Sequence, residues 1–350
     1  MRVHQVYLPM HEWCLMMQGA KLMRILLHTF LSLLMMSLGM HAYAETEAKE
    51  LLERTELAAQ QLNYDGVFAF QKGDKLQSIR IIHRSDVQGE VERLVSLSGV
   101  EREFIRTNDM VTCIYPEGKR PQANRQPLGH GFPSDLLSRL NLATLYYQAT
   151  LGEQGRIAAH KAQELLITPI DNYRYGYRLW IANDSNLLLQ SDLVDESGNV
   201  LEKFAFSSVE IGGDISEQSL KAQMDGNEMS WSRTESAPPT AVIELKEASN
   251  WQIVWLPDGF VLMAQQNRLK ARNGAAVEQR VYSDGLSSIS IFIEKIRARH
   301  SHLSGGTGMG AVNAFGTIIN AHFVTVVGEV PARTVDKVGG SIVYLDEPQS

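Results

Sequence analysis

Between Val67 and Val209 the chain is cut into short runs of β-branched and aromatic residues by tight polar turns, and this pattern limits the fold more than any other feature. Val67–Gln71, Leu76–His83, Val91–Leu97, Phe104–Thr107 and Met110–Tyr115 follow one another, separated by Lys72-Gly-Asp-Lys75, Asp86 to Glu90 and Asn108-Asp109. Turns this short leave no room for helical crossovers, so the runs must pair antiparallel. Further strands are expected at Glu153–His160, Glu164–Pro169 and Tyr173–Ile181, the last with Tyr173, Tyr175, Tyr177, Leu179 and Ile181 on one face. A hairpin, Leu187–Val194 with Val200–Val209, turns at Asp195-Glu-Ser-Gly-Asn199.

Helical spacing appears at Glu45–Leu62, and again behind Ser134-Asp135 through Leu136, Leu137, Leu140, Leu142 and Leu145 to Tyr147. Pro116–Pro133 reads as an extended loop. The character changes after Ile215, where a short helix near Ser216–Met224 precedes a polar stretch holding Ser236-Ala-Pro-Pro-Thr240. Beyond it, strands are expected at Val261–Gln265, Glu278–Ser283, Ser288–Ile296, Ala314–Ile319 and His322–Val327. Asp284-Gly285 supplies a turn, Ser304–Gly310 a Gly-rich loop, and Pro331 the start of a helix over Ala332–Val338. The fold class is α+β and β-rich.

The N-terminus reads as an export signal. Arg24 gives a positive start, Ile25–Leu38 an apolar stretch, and Ala42-Tyr43-Ala44 the small-x-small pattern a signal peptidase reads, with cleavage between Ala44 and Glu45. Met23 is then the natural start and residues 1–22 an upstream extension. The resulting division is 1–22 extension, 23–44 signal, 45–215 first domain, 216–248 linker and 249–345 second domain. Removing the leader takes Lys+Arg from 33 to 30 and Asp+Glu from 40 to 39, moving net charge from -7 to -9. That field repels phosphate and argues against nucleic acid as a partner. Cys14 leaves with the leader, so Cys113 stands alone, no intramolecular disulfide forms, and the cores alone must hold the fold.

Motifs for catalysis are missing: the sequence has no His-Glu-x-x-His, no Gly-x-Ser-x-Gly, no P-loop and no zinc-type cluster, so no enzyme, cofactor or metal site is expected. Gly306-Thr-Gly308-Met-Gly310 resembles a dinucleotide loop but sits among antiparallel strands, where a hairpin tip is the better reading. His300 and His302 have a usable metal spacing without a third ligand, so they read as solvated loop residues. A curved sheet with many aromatics can enclose an apolar pocket. Phe68, Phe70, Ile79, Ile81, Tyr175, Tyr177, Leu179, Phe204 and Phe206 are the candidate lining of such a cavity as a group, though each taken singly reads more readily as ordinary core.

Several segments, in order, carry a resemblance: Leu62-Asn-Tyr-Asp-Gly-Val-Phe68, Tyr173-Arg-Tyr-Gly-Tyr-Arg-Leu-Trp180, Leu193-Val-Asp-Glu-Ser-Gly-Asn-Val-Leu-Glu202, Trp255-Leu-Pro-Asp-Gly-Phe260, Val281-Tyr-Ser-Asp-Gly-Leu-Ser-Ser-Ile-Ser-Ile291 and Val326-Val-Gly-Glu-Val-Pro331. With them the chain resembles the MucB/RseB family of periplasmic regulators of the sigma-E envelope-stress response in Gram-negative bacteria. The resemblance implies a large N-terminal half-open antiparallel β-barrel with helices, like that of lipoprotein carriers, and a smaller C-terminal α+β domain. It implies binding to the periplasmic domain of a membrane anti-sigma factor of the RseA/MucA type, shielding it from a site-one protease of the DegS type. It also implies release by lipoprotein or lipopolysaccharide acyl chains held in the cavity. The family supplies no catalytic residue and no partner-contact motif, and self-association stays open. The competing reading is a periplasmic lipid or lipoprotein carrier, which would need only the first domain.

Overall fold

The computed structural model describes residues 46–108, 110–118, 134–143, 145–232, 250–269, 276–296 and 304–345. The leader, the Ala44–Glu45 cleavage position, most of the Pro116–Pro133 loop, and His300 and His302 lie outside them.

The first sheet is antiparallel throughout and contains β1 (Tyr64–Lys72), β2 (Lys75–Asp86), β3 (Gly89–Ser96), β4 (Glu103–Thr107), β5 (Met110–Tyr115), β6 (Tyr147–Ile157), β7 (His160–Pro169), β8 (Gly176–Ala182), β9 (Leu188–Val194), β10 (Val200–Ile211) and β11 (Asn227–Ser232). Their order is β11-β5-β4-β3-β2-β1-β10-β9-β8-β7-β6, so β11 and β6 remain as edges and the barrel is half-open. The curl is measurable. Flat, β7 would lie three ladder spacings from β10, about 14 Å at ~4.8 Å each; instead His160 Nε2 comes within 3.2 Å of the Val209 carbonyl.

Helix α1 (46–61) and α2 (Ser134–Leu142) cover one part of this sheet. Ala48, Leu51, Leu52 and Ala59 from α1, and Leu136, Leu137 and Leu140 from α2, meet Leu165, Ile167, Leu179, Ile181 and Leu188 in one core. Glu56 ties the helices together, accepting from Ser138 Oγ at 2.6 Å and from Asn141 Nδ2. The short α3 (Glu217–Leu220), capped by Ser216, is held by Arg93, which donates to Ser219 O at 3.0 Å and forks onto Glu103 at 2.8 and 3.2 Å.

The second sheet holds β13 (Val261–Leu269), β14 (Ala276–Ser283), β15 (Ser288–Lys295), β16 (Gly305–Met309), β17 (Val312–Ile319) and β18 (His322–Gly328) in the order β13-β14-β15-β18-β17-β16. The alternation expected for β15 is clean: Ile289, Ile291 and Ile293 are buried while Ser288 is exposed. Helix α4 (Ala332–Gly340) lies on this sheet through Val335 and Val338. A small ladder of β12 (Trp251–Ile253) with β19 (Ile342–Tyr344) closes the core.

Several expectations change. The second helix ends at Leu142, not Tyr147, because Tyr147 and Ala149 point inward at a period of two and pair with β7. The strand expected from Tyr173 starts at Gly176, and Tyr173 and Tyr175 lie in the bend before it. Gly305–Met309, read as loop, is the edge strand β16, its backbone paired with β17 although it offers almost no side chains. Asn227–Ser232, placed in the linker, extends the first sheet by pairing with β5.

Candidate functional site

The nine candidate cavity residues fall into three groups. Phe68, Ile79, Ile81, Phe204 and Phe206 are buried together, with Phe70 at the margin, in a cluster completed by Tyr64, Leu187 and Leu189. Leu179 belongs instead to the core beneath α1 and α2, where Tyr177 packs at its edge. Tyr175 sits in a small third cluster with Leu193 and Ala311, which Tyr177 also borders. The rings close on one another: Phe68 and Phe204 lie 4.7 Å apart, Phe204 and Phe206 5.2 Å in an edge-to-face contact. Gly66 is needed here because a Cβ would meet the Phe206 ring at 2.8 Å. The aromatic basin is therefore a packed core with Phe70 at its margin, and Tyr175 belongs to a separate cluster.

A second arrangement, invisible at the level of motifs, lies where the two sheets meet. Arg174 is fully buried between the two sheets. Its Nε donates to Asp284 Oδ2 at 2.6 Å, Nη1 donates to Asp171, and Nη2 donates to the Asp258 carbonyl. Its guanidinium lies 4.9 Å from the Tyr146 ring centre and 5.1 Å from that of Phe260. Asp284 is used on both sides, since its Oδ1 accepts from Leu286 N at 3.0 Å and Ser287 N at 2.7 Å. Burial works against the Arg174 charge, but Asp284 and then Asp171 more than offset it and hold the guanidinium above its ordinary pKa. The turn carrying Asp284 also inserts Leu286 into the core under α1 and α2.

Around this centre the contacts continue. Thr334 Oγ1 donates to Tyr173 O at 2.9 Å, and Lys337 Nζ donates to the Tyr173 hydroxyl at 2.7 Å while lying 3.9 Å from the Trp255 ring centre. Asn313 Nδ2 donates to the Tyr175 hydroxyl at 2.9 Å and to Val330 O at 2.8 Å. Arg333 pairs with Glu196. Lys72 Nζ reaches Glu202 at 2.5 Å and Glu329 at 2.9 Å. Burial first, then the Glu329 carboxylate, pushes the Glu202 carboxyl up to about 7 against the pull of Lys72.

A buried polar row runs across the first sheet from the aromatic cluster, Tyr64–His83–Glu92–Arg106, each opposite the next in register. Tyr64 stacks on His83 at 4.9 Å, and Arg106 meets Glu92 and Glu90 at 3.2 Å each. Burial, then Glu92, raises the Tyr64 phenol well above its ordinary value. Cys113 is buried and its thiol is likewise pushed up by burial. Among the described residues no group of three or more His, Cys, Asp or Glu could hold a metal, and no helix is long and apolar enough to cross a membrane.

A curled, open-edged antiparallel sheet with helices on it, joined to a small α+β sheet through a buried arginine, defines a two-domain, β-rich α+β protein. Residues 47–224 match the model of the MucB/RseB N-terminal domain and residues 245–343 that of the MucB/RseB C-terminal domain; the chain belongs to the MucB/RseB family. It is 30% identical over 324 residues to the sigma factor AlgU regulatory protein MucB of Pseudomonas aeruginosa, covering 90% of this chain and 96% of that one. It is 25% identical over 307 residues to the sigma-E factor regulatory protein RseB of Escherichia coli K12, covering 87% of this chain and 93% of that one. Among solved structures, MucB in complex with MucA(peri) matches with a TM-score of 0.65 and 27% identity, over 86% of this chain and 100% of that chain. The family is one of regulatory binding proteins, not of enzymes. The segments that carried the resemblance in sequence meet in space: Tyr173–Trp180, Trp255–Phe260 and Val281–Ile291 supply Arg174, Asp258, Phe260 and Asp284.

Proposed function

We propose that this protein is a periplasmic negative regulator that binds the periplasmic segment of a membrane anti-sigma factor of the MucA/RseA type and shields it from site-one proteolysis. The observation that carries the reading is the likeness, across both sheets, to MucB held in complex with MucA(peri). Binding keeps sigma-E inactive. Acyl chains of mislocalised lipoprotein or lipopolysaccharide enter the aromatic basin and weaken the complex. The support for this second part is the group Phe68, Phe70, Phe204 and Phe206, gathered on one curled, half-open sheet.

The test uses the purified chain without residues 1–44. Titration calorimetry with a MucA-type periplasmic segment should give a stoichiometric complex; no heat and no co-elution on gel filtration sinks the regulatory reading. An acylated peptide should be retained in native mass spectrometry and should lower affinity for the segment. Retention without any effect on the segment favours the carrier reading, in which the second sheet has no part.

A further inference from the structure

The Lys72, Glu202 and Glu329 cluster lies at a position with consequences of its own. Lys72 and Glu202 face each other in the β1–β10 register two residues beyond the Phe70–Phe204 pair, on the same face. They are thus the last rung of the aromatic basin. Glu329 reaches them from the segment between β18 and α4, so one ammonium bridges the two sheets. Beside the cluster, the turn between β16 and β17 packs on the first sheet: Ala311 is fully buried on Tyr175 and Leu193, and a Cβ on Gly310 would lie 3.8 Å from Gly73 in the β1–β2 turn.

Two carboxylates on one lysine, in a half-buried place, cannot both be charged without cost. A proton shared between them removes the repulsion and leaves the ammonium paired. We propose that Lys72, Glu202 and Glu329 form a proton-tightened latch between the two sheets, which holds the β16–β17 turn against Tyr175 and the β1–β2 turn in mild acid and loosens as pH rises. It requires neither partner nor ligand and so stands apart from the regulatory reading. The raised Glu202 carboxyl agrees with this geometry. The sign follows from it: the closed latch binds the proton more tightly than the open one, so closure is fully favoured below the ordinary carboxyl range and is lost as pH climbs through neutrality. Other titratable and charged groups surround Glu202. Tyr175 and Tyr177 are raised by burial, and beyond them lie Arg139 of α2, Asp195 and the Arg333–Glu196 pair.

The test is pulsed electron–electron resonance on the chain without residues 1–44, spin-labelled at L76C and M309C in a C113A background. Both label sites are exposed and lie near the latch without belonging to it. From pH 5.5 to 8.5 the ratio of the short-distance to the long-distance population should fall roughly tenfold. Glu202→Gln should keep the short distance across the whole range. Lys72→Met should shift the population outward at every pH. A wild-type distribution that does not move with pH, or a slope that survives in Glu202→Gln, overturns the latch. Carboxyl-labelled NMR gives a second reading: a glutamate resonance titrating near neutrality and missing from Glu202→Gln supports it, and no such resonance overturns it.

Discussion

Arg174 shows how one side chain can fix a junction. Its cost of burial is met only because Asp284, Asp171, the Asp258 carbonyl and two aromatic rings converge on it. Removing one member strands the other. Arg174→Ala and Asp284→Ala should each cost about 3–5 kcal/mol in urea unfolding, and the double substitution should cost clearly less than their sum. Arg174→Lys should rescue little, because lysine lacks the planar fork. Gly259 supports the same centre: its φ is +85° and a Cβ there would run into the Tyr146 ring. Gly259→Ala should therefore cost about 1–3 kcal/mol, read by the same denaturation. None of this was legible from residue type. An arginine among tyrosines in Tyr173–Trp180 reads as a surface charge between aromatic faces, and only the meeting of three distant segments reveals its role.

At the level of elements, alternation and turn chemistry served well where both were present. β15 and the Asp195–Asn199 hairpin turn follow the expected lines, the turn held by Asp195 accepting from Ser197 N and Asn199 N at 2.9 Å. They failed where the turn carries no signal. Ala158 and Ala159 both adopt left-handed conformations, with φ of 47° and 72°, so the β6–β7 hairpin turns on two residues that sequence reading does not recognise as a turn. The paired substitution Ala158→Asn with Ala159→Gly should stabilise the protein by about 1 kcal/mol, seen as a higher urea midpoint with unchanged slope. The reverse failure is β16, where glycine was taken to mark a loop. Backbone pairing with β17 needs no side chain, so composition could not reveal it. The aromatic group was legible as a set, but not its division: Leu179 and Tyr177 lie toward the helices, while Phe68, Phe204 and Phe206 pack on each other. Period alone does not say which stretch of a curled sheet a helix will cover.

For the whole molecule, the two sheets are joined by more than a linker. Leu286 leaves its own sheet to fill the core under α1 and α2, and Ala311 does the same against Tyr175. Unfolding by scanning calorimetry should accordingly show one transition for the wild type. Leu286→Ala should split it into two, since each sheet keeps its own core while the coupling between them is lost.

The charges of this junction also differ in their access to counterions. The Arg174–Asp284 pair is sealed from solvent on both partners, whereas Lys72, Arg333 and Glu196 are half exposed. Dissolved salt screens the second kind and scarcely touches the first. Raising ionic strength should thus free the rim of the junction and leave its centre in place, turning a rigid joint into a pivot about a single arginine.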